Sequence, residues 1–293
     1  MHALLMMLRR KATDIDSTAI VVQRHKRAPS IINKLRRFPQ MELNRMQDIG
    51  GCRAIVSTVS DAEQVSQHIQ QSSTRHKLHR VYDYIDSPKD TGYRGIHLTY
   101  KYNGSKSEYT DYFVEIQVRS KIQHAWATAV EIVDTFTSQA LKSNQGTTDW
   151  LDFFRVASAE FAKLEERPVG TSVNPNTTFS ELTRLAEKLS VFARLNAFAV
   201  TTNLVHEKFV GTTDYFLLEL TEDAAQVLIT PYKTSDFDRA TAAYLEKEKR
   251  ANSGYASDVV LVAASSLQAL HNAYPNYFAD SKEFLRYLRQ VLY

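Results

Sequence analysis

The sequence predicts two domains, an α/β domain followed by a smaller α+β domain. Strand-length and helix-length runs are interleaved through the first 166 residues, the pattern of a layered α/β unit. Residues 111–119 alternate cleanly: Tyr112, Val114, Ile116 and Val118 fall on one face, and Phe113, Glu115, Gln117 and Arg119 on the other. Residues 167–176, Arg-Pro-Val-Gly-Thr-Ser-Val-Asn-Pro-Asn, break every periodicity and read as a linker. The boundaries are therefore 1–166 for the first domain, 167–177 for the linker and 178–293 for the second domain.

Ala3 to Leu8, followed by Arg9-Arg10-Lys11, forms the last turns of an amphipathic helix with no capping residue ahead of it, so the chain is expected to begin inside a helix. The β-rich run 19–26 is a strand that sets Val22, Arg24 and Lys26 on one face. Pro29-Ser30 opens a helix with Ser30 as N-cap and Lys34 one turn in. Strands are expected at 53–59, 80–86, 96–102 and 111–119, with helices at 61–71 and 121–141. Beyond the linker come a long helix at 178–200, strands near 213–220 and 225–231, a helix near 235–250, a strand at 257–263 and two short closing helices.

Charge is unevenly spread. Residues 1–53 hold eleven Lys/Arg against four acids, a surplus of seven, while the whole chain carries +3. Such asymmetry suits a polyanion; a solvated helix face gives the same count. The single cysteine, Cys52, excludes a disulfide framework and a thiolate zinc site. No apolar run approaches the roughly twenty residues that cross a bilayer, so a cytoplasmic protein without membrane contact is expected.

Several residue groups carry chemistry. Asp48, in Asp48-Ile49-Gly50-Gly51-Cys52-Arg53, and Glu115 are the carboxylates suited to hold magnesium beside a nucleotide, or to take a proton from a hydroxyl. Asp48 is equally a turn former, and Glu115 a solvated strand residue. Arg24, Lys26 and Arg27 with the start of the Ser30 helix make a phosphate cradle, although no Walker A loop occurs. Tyr93, in Gly92-Tyr93-Arg94-Gly95-Ile96-His97, is placed to stack a base or to cover a sheet edge. His97 alone is more simply a structural hydrogen-bonder.

In this order and spacing, with Glu115-Ile116-Gln117-Val118-Arg119 and Gln123-His124-Ala125-Trp126-Ala127 added, the chain resembles the synthetase domain of the RelA/SpoT family over about residues 1–140. The resemblance implies a nucleotidyltransferase-like mixed sheet flanked by helices. It also implies transfer of the β,γ-pyrophosphate of ATP to a ribose 3′-hydroxyl. Asp48 and Glu115 would then bind Mg2+, with Glu115 also the base. Arg24 and Arg53 would sandwich adenine, and Lys26, Arg27 and Lys34 would hold the phosphates. Tyr93 would stack the acceptor base, with His97 and Arg119 lining the same pocket. The His-Asp dipeptide of the family's hydrolase domain is absent, which implies synthesis without breakdown.

Tyr274-Pro275-Asn276-Tyr277 resembles the Tyr-x-x-Tyr motif of the fused toxin–antitoxin members of that family. In them a cysteine-free, zinc-module-like C-terminal domain occludes the adenine site. This implies a toxin domain restrained by its own second domain, acting on the 3′ CCA end of tRNA and released by a phage protein. Core packing before a closing helix would equally explain the two tyrosines. GDP or GTP as acceptor uses the same residues, and a catalytically dead nucleotide or phage-protein sensor is the alternative of a different class.

Overall fold

The computed structural model describes residues 2–25, 31–32, 35–36, 38–104, 110–140, 147–197, 214–220, 227–252, 258–263 and 277–293. Lys26, Arg27, Lys34 and Tyr274 lie outside them. The chain divides into two compact units, Met1–His124 with Ala162–Ser172, and Ala125–Phe161 with Val173–Tyr293. This division differs from the expected linear one. Residues 125–161 belong with the second unit, and most of the expected linker belongs with the first.

The first unit is built on a five-stranded mixed sheet in the order β1-β2-β5-β4-β3. Its strands are β1 (Ile20–His25), β2 (Gly50–Val56), β3 (Lys77–Asp83), β4 (Ile96–Lys101) and β5 (Phe113–Ser120). All neighbours are antiparallel except β2 and β5, which run parallel at the centre. Helices α1 (His2–Ile15) and α2 (Val59–Gln70) share one core with one face of the sheet. Leu4, Leu5, Leu8 and Ala12 from α1, and Val59, Ala62, Val65 and Ile69 from α2, bury against Cys52, Ala54, Val56, Leu98, Ile116 and Val118. Each buried Leu or Ile there contributes about 1.5–3 kcal/mol. Burial pushes the Cys52 thiol up to about 12, so it packs as a small apolar group.

Local signals set the helix starts. Thr58 and Asp61 form a reciprocal capping box at α2. Ser120 and Gln123 do the same at α3 (Lys121–Ala140): the Ser120 amide donates to Gln123 Oε1, and the Gln123 amide donates to Ser120 Oγ, both at 3.2 Å.

The second unit contains the remainder of α3, α4 (Thr147–Leu164) up to Phe161, and α5 (Thr178–Lys188). An antiparallel sheet follows in the order β7-β6-β8, from β6 (Tyr215–Leu220), β7 (Val227–Tyr232) and β8 (Asp258–Ala263). Helices α6 (Phe237–Asn252) and α7 (Tyr277–Leu292) complete the described part. Phe153, Phe154 and Phe161 of α4 meet Phe284 of α7 at ring separations of 5.4–6.3 Å, forming an aromatic core. Among the described residues no helix is long and apolar enough to cross a membrane.

The helix expected at 178–200 breaks after Lys188: Ser190 takes φ 47, and helix resumes at 191–197. A left-handed residue at that point ends the ladder as a glycine cap would. Of the two short closing helices expected, α7 is described, and residues 264–276 ahead of it lie outside the described residues.

The strand expected at 53–59 begins instead at Gly50, and the glycines expected to turn lie inside β2. Gly51 pairs with Glu115, and a Cβ on Gly51 would lie 2.0 Å from the Glu115 carbonyl oxygen. No side chain fits. Gly51→Ala is therefore expected to destabilise the protein by at least the roughly 1–3 kcal/mol of an overpacked core. Urea denaturation checks it, and an unchanged midpoint would show that the two strands separate freely.

Candidate active site

On the face opposite α1 and α2, strand register arranges polar residues in rows. Arg24, Gly51, Glu115 and Thr99 are successive partners in one row, and Val22, Arg53, Gln117 and His97 in the next. Ile20, Ile55 and Arg119 form a third. Because β5 is the central strand and not an edge, its polar side is enclosed: Arg53, Gln117 and Arg119 are only 5%, 3% and 4% exposed. Polar groups buried that deeply must be paired with one another.

They pair in a chain whose directions are set by donor and acceptor identity. Arg119 Nε and Nη2 donate to the Tyr93 hydroxyl oxygen at 3.2 and 2.8 Å. With its oxygen taking two donors, the Tyr93 hydroxyl gives its own proton to His97 Nε2 at 2.5 Å. His97 then carries its proton on Nδ1 and donates to Glu115 Oε1 at 2.8 Å. Burial holds the imidazole below its ordinary pKa, with Glu115 opposing, so the neutral ring this chain requires is the favoured one. From the other side Arg53 Nε donates to Gln117 Oε1 at 3.2 Å. That contact turns the Gln117 amide so that its nitrogen donates to Glu115 Oε2 at 2.6 Å. Both branches end on Glu115, the acceptor.

The segment between β3 and β4 carries Tyr93 into this chain. Gly92 and Gly95 take φ 88 and 142 on either side of it. A Cβ on Gly95 would meet Arg119 Cγ at 3.1 Å and the Tyr93 hydroxyl at 3.4 Å. Tyr84 stands edge-on to both Tyr93 and His97, at 5.8 and 5.3 Å, and stacks on Tyr82 at 5.7 Å. Lys89 Nζ lies 4.4 Å from the Tyr84 ring centre and 5.1 Å from that of Tyr93. Cation and rings together make an aromatic, positively charged wall. The sequence reading missed Gln117, Tyr84 and Lys89 as site residues. Gln117 shared the polar face of its strand with Glu115 and Arg119, which was the available signal.

The remaining expected residues are placed unevenly. Asp48 is half-buried in the loop before β2, three residues ahead of the Gly51 that pairs with Glu115. Arg24 lies on β1 in the Glu115 row, with only its backbone described. Lys26, Arg27, Lys34 and Tyr274 fall outside the described residues, and Tyr277 starts α7 with its side chain undescribed. Arg9, Arg10 and Lys11 lie on α1, which packs against the face opposite Glu115. Among the described residues no group of three metal-ligating side chains occurs. Magnesium held on a nucleotide needs only one or two carboxylates besides phosphate oxygens. The hard oxygen donors of Asp48 and Glu115 fit that demand.

Residues 23–133 match the model described as the region found in RelA/SpoT proteins. The GTP pyrophosphokinase YwaC of Bacillus subtilis is 34% identical over 104 residues, covering 33% of this chain and 49% of the relative. The GTP pyrophosphokinase YjbM of the same organism is 34% identical over 115 residues, covering 37% and 52%. The chain thus spans about half the length of these relatives. Among solved structures, small alarmone synthetase 1 of Bacillus subtilis bound to its product pppGpp aligns with 25% identity and a TM-score of 0.48, covering 56% of this chain and 87% of that one. Residues 23–133 are thus similar to the region found in RelA/SpoT proteins, and GTP pyrophosphokinases are among the relatives of this chain.

Proposed function

We propose that the protein is an ATP-dependent pyrophosphotransferase, and that Glu115 is the base for the acceptor ribose 3′-hydroxyl. The observation that carries this reading is the donor chain converging on Glu115 from Arg119 through Tyr93 and His97, and from Arg53 through Gln117. A carboxylate so held is acceptor-only and fixed in orientation, as a general base needs to be. The acceptor 3′-oxygen bonds to the β-phosphorus of ATP, and the bond from that phosphorus to the α,β-bridging oxygen breaks. AMP departs with that oxygen, and the hydroxyl proton passes to Glu115. Transfer of this kind depends on positioning and charge neutralisation more than on covalent chemistry. Mg2+ bound with ATP would add charge neutralisation at the transferring phosphates, held by Asp48 and Glu115. Arg53, whose Nε donates to Gln117, is proposed to stack on adenine together with Arg24. Lys26, Arg27 and Lys34 are proposed to hold the phosphates, and the Tyr93 ring to receive the acceptor base.

For the acceptor, the 3′ CCA end of tRNA is supported by the resemblance of Tyr274-Pro275-Asn276-Tyr277 to the fused toxin–antitoxin motif. In this reading the second domain restrains the first by competing for the adenine site, and a phage protein releases it. A guanosine nucleotide is the second reading. It is favoured by the names of the relatives and by the position of Arg9, Arg10 and Lys11, which removes three cations from the catalytic face.

Purified protein offered γ-labelled ATP with bulk tRNA, GDP and GTP is expected to label tRNA, and Glu115→Gln is expected to lower transfer by about 100-fold or more. Label on GDP or GTP alone would establish the second reading; transfer undiminished in Glu115→Gln would remove Glu115 as base. Gln117→Leu is expected to lower kcat about tenfold with little change in the KM of either substrate, because it frees Glu115 without touching substrate. A rise in KM at constant kcat would instead make Gln117 a substrate contact. Tyr277→Ala is expected to raise basal transfer and growth inhibition; unchanged transfer in a folded variant would assign Tyr277 to packing.

A further inference from the structure

The Tyr93 loop is anchored by chain from far along the sequence. Arg94, next to Tyr93, is 4% exposed. Its Nη1 donates to the Ile85 carbonyl at 2.8 Å and its Nη2 to the Pro168 carbonyl at 2.7 Å. One side chain therefore ties the end of the loop to its beginning and to the segment 162–172. That segment is held at three further points within the first unit. Glu165 accepts from the Ser120 hydroxyl and, at 3.2 Å, from Gln123 Nε2. Arg167 pairs with Glu63 of α2 at 2.6 Å. Gly170, at φ 91, lies so near Pro88 that a Cβ would stand 2.7 Å from the proline ring.

Tyr93 and Arg94 are consecutive residues whose side chains have different partners. Tyr93 reaches Arg119 and His97, while Arg94 reaches Ile85 and Pro168. Gly95 follows directly, and a Cβ there would lie 3.1 Å from Arg119 Cγ. Arg94 thus fixes the backbone next to Tyr93 by contacts separate from those of the Tyr93 hydroxyl.

We infer that Arg94 is a positioning residue for the acceptor site, anchored by the Pro168 carbonyl on a strap formed by residues 162–172. The inference rests on the reading in which Tyr93 receives the acceptor. The donor nucleotide is assigned to β1, β2 and the segment after β1, which Arg94 does not support. Loss of Arg94 therefore acts on the acceptor and spares the donor. A merely structural arginine would weaken both.

Full-length protein is titrated with GDP and with CCA-ended tRNA as acceptor probes, and with a non-hydrolysable ATP analogue as donor probe. Arg94→Met is expected to weaken the acceptor probe bound by the parent about tenfold or more, while ATP-analogue affinity stays within about twofold. Arg94→Lys keeps the cation but cannot span both carbonyls, and falls between. If Arg94→Met does not fold, Arg94→Lys decides by the same comparison. Equal loss for donor and acceptor, or unchanged acceptor affinity, overturns the inference and leaves the reading of Tyr93 standing. A parent that binds neither acceptor probe overturns that reading, and the inference with it.

Discussion

The first unit is organised around the approach of β2 to β5 at Gly51 and Glu115. Among the described residues these are the only parallel neighbours in its sheet, and at their meeting point a methyl group would be driven into a carbonyl oxygen. The close approach brings Arg53 beside Gln117 and Ile55 beside Arg119, which makes one face of the sheet polar and the other apolar. α1 and α2 then cover the apolar side because Cys52, Ala54, Val56, Ile116 and Val118 leave them no other place to bury their leucines, valines and isoleucines.

Buried polar groups need partners, and on this face the pairing imposes direction. Arginine has only donors and an ionised carboxylate only acceptors, so Tyr93, His97 and Gln117 must each pass a proton toward Glu115. The imidazole cannot change tautomer without breaking one of its two bonds. The glutamine amide cannot flip without setting its nitrogen against the Arg53 donor and its oxygen against the Glu115 carboxylate. The arrangement is rigid because it has one solution.

Much of this was legible in the sequence. Alternation over 111–119 identified β5 and its two faces, and the motif order located Asp48, Arg53, Tyr93, His97, Glu115 and Arg119 within one unit. Alternation could not tell a central strand from an edge, because both show apolar and polar residues in turn; only pairing with β2 and β4 reveals that Gln117 and Arg119 are enclosed. The double glycine misled because turns are its commoner use, whereas Gly51 serves a close approach between strands far apart in sequence. α4 went unread although Trp150, Phe153, Phe154, Ala157 and Phe161 carry helical spacing. Ser190 gave no local warning of a break, since serine adopts left-handed geometry only where its surroundings demand it. The partners of Arg94 lie 9 and 74 residues away, beyond what local spacing can express.

The path of the chain through the two units bears on how the protein can be divided. The first unit ends at His124, resumes at Ala162 and ends again at Ser172, so it is not a single stretch of sequence. A cut at residue 166, where composition places the domain boundary, would sever the strap between Glu165 and Arg167. It would strip Glu63 of its ion partner and take away the Pro168 carbonyl on which Arg94 rests. An inactive fragment ending there would report a dismantled acceptor loop. It would not report that the missing domain is needed for catalysis, and a fair dissection has to keep residues 162–172 with the sheet they brace.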